Sequence, residues 1–221
     1  MKKSYCGAFL LALAFAVSGC ATTRGVLEVA EEESVNPESG QAVRIVQVVD
    51  ARQFQIDPPQ ADIPSLKNNE IDDPGITSRA IARKRNSFGK AMGDILLPEG
   101  QTVMDLVSSS LAKGLRENGF RVVSEPDADF TSAVPLEVEI EKFWGWFQPG
   151  FWQLKLHYVT AINVSGPTAI FTDGESFASD VEMGFQVASS SNWLETIDAS
   201  LAELNREISA RLAEYRKSNP D

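Results

Sequence analysis

Cysteine and histidine are almost missing from this chain of 221 residues: Cys6 and Cys20 both fall within the first twenty positions, and His157 is the only histidine. That leaves almost no room for a disulfide framework or an ordinary zinc site. Nucleophilic catalysis needs a base beside its nucleophile, and alternation puts the single histidine with Gln153 and Lys155 on the polar side of its segment. No Gly-x-Ser-x-Gly elbow and no phosphate-cradling glycine loop is present. The expectation is therefore no catalytic residue, no metal and no cofactor. Basic charge is scarce as well, with 20 Lys+Arg against 31 Asp+Glu and a net charge of −11, which argues against a nucleic-acid partner. Glu137, Glu139 and Glu141 could pair as glycan-cleaving acids, but they sit on a solvated strand face where unperturbed carboxylates are expected.

Long hydrophobic runs are missing too. Gly7 to Val17 is apolar without interruption, yet eleven residues fall short of the about 20 that a bilayer span needs. Preceded by Lys2 and Lys3, the run reads as an export signal over residues 1–19. It ends in Val17-Ser18-Gly19-Cys20, which resembles the lipobox of bacterial lipoproteins. In that class the cysteine is acylated and becomes the first mature residue, so the resemblance makes Cys20 the lipidation site. Several acyl chains hold a protein on a membrane where one holds it only marginally. Ala21 in place of aspartate points, by the same resemblance, to the outer membrane and its periplasmic face. Losing Lys2 and Lys3 with the signal deepens the net charge from −11 to −13.

Residues 20–42 carry Glu28, Glu31, Glu32, Glu33 and Glu38 with no sustained apolar period, the composition of a flexible acidic tether. Residues 43–216 read as a single periplasmic domain, and 217–221 as a C-terminal tail. Val43 to Asp50 is a nearly continuous β-branched run, as in a strand buried on both faces. Phe54 to Ile76, rich in proline, asparagine and aspartate, reads as a long loop. Thr102 with Asp105 caps a helix that Gly119 closes, and Phe120 to Val123 is a short strand. Val134 to Phe143 and Phe151 to Val164 follow as longer strands, and Thr168 to Met183 as another strand or a bulged pair of strands around Asp173-Gly174. Asn192 caps a last helix whose stripe is Leu194, Ile197, Leu201, Leu204, Ile208 and Leu212, with a coiled-coil seam as the lesser reading. The order implies an α+β fold, a mostly antiparallel sheet with two helices packed on one face.

Two clusters stand out. Between Phe143 and Trp152 six of ten residues are aromatic around Pro149-Gly150. Trp144, Trp146, Phe147, Phe151 and Trp152 form a candidate contact surface, unless the loop from Phe54 to Gly100 folds over them as a satellite core. Arg79, Arg83, Lys84 and Arg85 belong to the one basic cluster; it is either a solvated arm or a contact for anions.

The lipobox at Cys20, the strand ending Val49-Asp50-Ala51-Arg52, the helix through Leu115 with Gly119-Phe120-Arg121-Val122, and the ending from Gly184 to Tyr215 together resemble the YajG-like bacterial lipoproteins. The resemblance implies a periplasm-facing outer-membrane lipoprotein and carries over no catalytic residues. The leading expectation is a non-enzymatic, lipid-anchored binding or assembly module with an envelope protein partner. The alternatives are an accessory subunit for envelope lipid or lipopolysaccharide transport and, more weakly, a cell-wall glycan hydrolase.

Overall fold

The computed structural model describes residues 24–86, 88–150 and 152–218. Cys20 with the whole signal segment, Phe151, and residues 219–221 of the tail lie outside that set. In chain order the strands and helices are β1 (Gly25–Val26), β2 (Ala42–Asp50), β3 (Gln55–Ile56), β4 (Ser65–Leu66), a 3₁₀ turn (Asn68–Asp72), α1 (Pro74–Thr77), β5 (Ala80–Arg85), β6 (Ala91–Leu96), α2 (Val103–Glu117), β7 (Arg121–Val122), β8 (Val134–Pro149), β9 (Leu154–Ser165), β10 (Glu175–Phe185) and α3 (Ser190–Ser218).

The fold is α+β, as the pattern of elements implies. Antiparallel pairing dominates by length, because β8, β9 and β10 form a three-stranded meander in which twelve and then eleven residue pairs align. Parallel pairs join β1 to β6, β2 to β7, β2 to β8 and β5 to β8. β8 is the spine. Its first half pairs with β2 from Val134 to Ile140, and its second half pairs with β5 through Gly145 and Trp146. β2 and β5 therefore lie end to end along one side of the same strand.

Both long helices pack on one face. Helix α2 buries Val103, Leu106, Val107, Leu111 and Leu115 at helical spacing, and Thr102 and Asp105 close the capping box that the sequence announces. Gly119 follows its end at φ +84°, where an L side chain is strained. Helix α3 buries the stripe from Ile197 to Leu212 in the main core, which settles the seam as core. It starts earlier than expected: Ser189, not Asn192, is the cap, since the Asn192 amide donates to Ser189 Oγ at 3.2 Å and the Ser189 amide to Asn192 Oδ1 at 3.4 Å. Helix meets helix closely at Gly114, where an added Cβ would lie 2.7 Å from Asn205 Oδ1.

Three expectations need correcting. The first strand is not buried on both faces, for Val46 and Val49 are 43% and 42% exposed on the side away from the helices. The stretch from Phe54 to Gly100 is no single loop; it contains the β5–β6 hairpin and a roof over part of the open sheet face. The third correction concerns the tether, which from Arg24 onward is a strap laid on the domain. Leu27 and Val29 enter the core, and Gln101 Nε2 donates to the Val29 carbonyl at 2.6 Å. Glu32 accepts from Ser110 Oγ of α2 and Asn205 Nδ2 of α3 at 3.1 and 2.7 Å. Asn36 then binds both backbone groups of Val122, at 2.8 and 2.9 Å, as a neighbouring strand would. Few apolar residues suffice because the strap's polar atoms find partners on buried elements.

Candidate functional site

The aromatic stretch is sorted by one irregularity in β8. Up to Ile140 the strand alternates buried Leu136, Val138 and Ile140 with exposed Glu137, Glu139 and Glu141. Between Ile140 and Lys142 the register against β9 slips by one residue, and a slip of one exchanges the two faces. Phe143 accordingly joins the helix-side core, edge to face with Tyr158 at 5.1 Å, while Trp144 turns to the opposite face. There the roof encloses it: Phe54 meets the Trp144 ring edge-on at 5.9 Å, Leu66, Ile71 and Ile76 pack nearby, and Trp144 Nε1 donates to the Ala61 carbonyl at 3.3 Å. Of the expected contact surface, Trp144 is therefore fully buried, and Trp146 and Phe147 are half-buried. Trp152 stands at the turn, 83% exposed. The satellite-core reading holds for Trp144, while Trp152 is left exposed.

Two members of the basic cluster are neither a solvated arm nor open to anions. Arg83 and Arg85 are buried within β5, and burial lowers the pKa of both guanidiniums. Arg83 lies 3.6 Å from Asp94, and Arg85 donates to the Pro58 and Gly89 carbonyls and to Ser65 Oγ. Arg79 donates to the carbonyls of Gly75 and Leu97. Lys84 is half-buried on the same strand. Asp94 is the hub of this region. Burial alone would raise its pKa, but hydrogen bonds of 2.9 and 2.7 Å from Arg24, with the charges of Arg24 and Arg83, hold it below the usual range. Arg24 in turn is raised, first by its hydrogen bond to Asp94. It also reaches Glu70 at 2.7 Å, so one side chain clasps the strap to β6 and to the roof.

His157 faces neither solvent alone nor a nucleophile. Its ring stacks on Trp146 with centroids 5.0 Å apart and planes 1° from parallel, and Nε2 lies 3.6 Å from Glu182. Glu182 is shared with Lys155, whose hydrogen bond lowers its pKa. At the helices, burial and then the nearby Glu32 charge raise Asp198. The strap residues 28–35 border an open groove of about 830 Å³ together with Gln101 and Arg116, and its acids are partly engaged by Lys113 and Ser110. Among the described residues no group of three or more His, Cys, Asp or Glu could hold a metal ion, and no helix is long and apolar enough to cross a membrane.

Sequence reasoning overlooked Arg52, although the segment Val49 to Arg52 was singled out. Its buried guanidinium pairs with Asp50 through two contacts of 2.7 Å. It also donates to the carbonyls of Ala80, Phe143 and Thr77 at 2.6, 3.0 and 2.8 Å. Those carbonyls are left over where β2 stops and β5 begins along β8, and a five-donor fork is the side chain that can serve them together. Phe88 was also overlooked. It is 92% exposed in the β5–β6 turn, where Asn86 and Gly89 were available as turn signals.

No protein-family model matches this chain, and no curated protein matches it. Among solved structures, one described as the crystal structure of an uncharacterized protein aligns with 88% of this chain and 99% of its own, at 11% identity and a TM-score of 0.44.

Proposed function

We propose that this protein is a lipid-anchored lipoprotein of the outer membrane, facing the periplasm and working as a non-enzymatic binding or assembly module. The observation that carries the reading is Val17-Ser18-Gly19-Cys20 directly after a short apolar run with a basic start. The resemblance to YajG-like lipoproteins supports the same address. A non-catalytic role is supported by the surroundings of the sole histidine, whose ring is stacked on Trp146 with Glu182 beside it and, among the described residues, no nucleophile. Lipid or lipopolysaccharide transport through Arg79, Arg83, Lys84 and Arg85 draws no support from Arg83 and Arg85, whose side chains are enclosed and bound to protein groups.

Fractionation tests the anchor. Cys20→Ser should abolish acylation and move the protein from outer-membrane to aqueous fractions. A variant that still sediments with outer membranes after a salt wash would overturn the reading. Pull-down of the lipidated chain from solubilised envelopes should recover a protein partner, and turnover of cell-wall fragments by the purified chain would replace the binding module with a hydrolase.

A further inference from the structure

Strand directions bring four separate pieces of the chain to one end of the sheet. β5 and β8 run parallel, with Ala82 opposite Gly145 and Arg83 opposite Trp146, so the turns that follow them, 86–90 and 150–153, project beyond the same end. β10 finishes there too, since Phe185 lies opposite Leu154, the first residue of β9. The fourth piece is the start of the strap. β1 runs parallel to β6, Gly25 opposite Ile95 and Val26 opposite Leu96, and β6 begins at Ala91 beside the β5–β6 turn. The described chain therefore enters β1, at Arg24, from the side on which these turns lie.

That end has its own chemistry. It presents Phe88, Trp152 and Val187, which are 92%, 83% and 62% exposed, one from each connecting segment. Residues 84–91, 147–155 and 184–192 contain Lys84, Arg85, Lys90 and Lys155 and not one Asp or Glu, in a chain with 31 acids. The nearest acid on β10, Glu182, is bound to Lys155. At the opposite end, where β8 and β10 begin and β9 finishes, the loops carry Glu125, Asp127, Asp129 and Asp173. The connecting segments are thus polarised, with exposed apolar side chains and the lysines Lys84, Lys90 and Lys155 at one end, where Arg85 is enclosed and Asp57 of the roof lies near it, and acids in the loops at the other.

The clasp fixes where the anchor can be. Arg24 is held by Asp94 and Glu70, and Cys20 is four residues upstream, a reach of about 14 Å when fully extended. We infer that this end of the sheet docks on the bilayer itself, with Phe88 and Trp152 seated at headgroup depth and the lysines beside anionic headgroups. The inference rests on lipidation at Cys20. Aromatic side chains favour the interfacial zone, and lysines add attraction to anionic lipid. The acidic remainder of the chain is repelled by the same surface, which selects one orientation. The anchor supplies a high local concentration, so the weak insertion of two rings is enough to hold the pose.

The test uses the full lipidated chain in vesicles of phosphatidylethanolamine with a minority of phosphatidylglycerol, prepared with and without bromine on the acyl chains. Trp144 and Trp193 are buried and Trp146 half-buried, so Trp152 is the reporter at the surface. Brominated lipid should quench its emission and aqueous iodide should lose access to it. Trp152→Phe should remove most of the quenching without changing the melting curve, and Phe88→Trp added to that variant should restore it. Mass analysis of the N-terminal peptide keeps the two readings apart. If Cys20 is acylated and the protein floats with vesicles yet no bromine quenching appears, docking is wrong and the lipoprotein reading stands. If Cys20 carries no acyl chain, the lipoprotein reading falls and docking falls with it. If Trp152 is shielded only in native envelopes and never in pure lipid, the end meets a protein and lipid docking is overturned.

Discussion

Arg52 has the most partners of any side chain described above, and its position explains why. Two strands share one side of β8, and their junction leaves backbone carbonyls that neither strand can satisfy. Arg52→Lys keeps the charge but loses the fork, so it should fail to rescue the junction. We expect Arg52→Ala to cost about 3 to 5 kcal/mol in urea unfolding, because Asp50 and three carbonyls lose their donor, and Arg52→Lys to recover less than half. A loss under about 1 kcal/mol in either variant would mean that water serves the junction as well. Gly145 is the second residue with a sharp expectation. An added Cβ would lie 2.6 Å from Tyr158 Cδ2 and 2.9 Å from Trp193 Cζ3, both rings being buried. Gly145→Ala should destabilise by about 1 to 3 kcal/mol through overpacking, measured as an earlier thermal midpoint. Neither role could be read along the chain, since both depend on neighbours distant in sequence.

At the level of elements, periodicity found α2, α3 and the three-stranded meander, because helices and half-buried strands write their burial into their own spacing. The slip after Ile140 escaped it. Simple alternation would have put Trp144 on the helix side, and only the register against β9 reveals the exchange of faces. Trp144→Ala should therefore cost about 3 to 5 kcal/mol while Trp152→Ala stays within about 0.5 kcal/mol, a contrast that one pair of melts decides. β5 escaped as well, for Ala-Ile-Ala-Arg-Lys-Arg looks like a solvated charge run until Asp94 and the roof carbonyls are seen around it. The strap was read as disordered for a similar reason: its acids and amides are held by polar partners that composition does not display. Its clasp makes a pH prediction. The Asp94 carboxyl has a lower pKa folded than its ordinary 3.8, so its stabilising pair is complete above that value and is lost as pH falls through the folded one. In acid titrations followed by circular dichroism, Asp94→Asn should lower stability at neutral pH and flatten the decline below about pH 4. An unchanged acid limb would remove Asp94 from its cause.

At the scale of the whole molecule, the separation of charge was the part least accessible to composition. A net of −11 describes the average and conceals three connecting segments without a single acid, which strand direction gathers at one end. The parallel pairing of β1 with β6 has a further, mechanical consequence. Under the anchor proposed at Cys20, a force that pulls the domain away acts along the axis of β1, so the backbone bonds to β6 and the Arg24 contacts to Asp94 and Glu70 are loaded together in shear. A strand pulled sideways from a sheet would instead unzip one bond at a time. The first element to yield under tension should be the strap, peeling in order past Val29, Glu32 and Asn36, and its release would pay out chain as slack before the sheet itself is stretched.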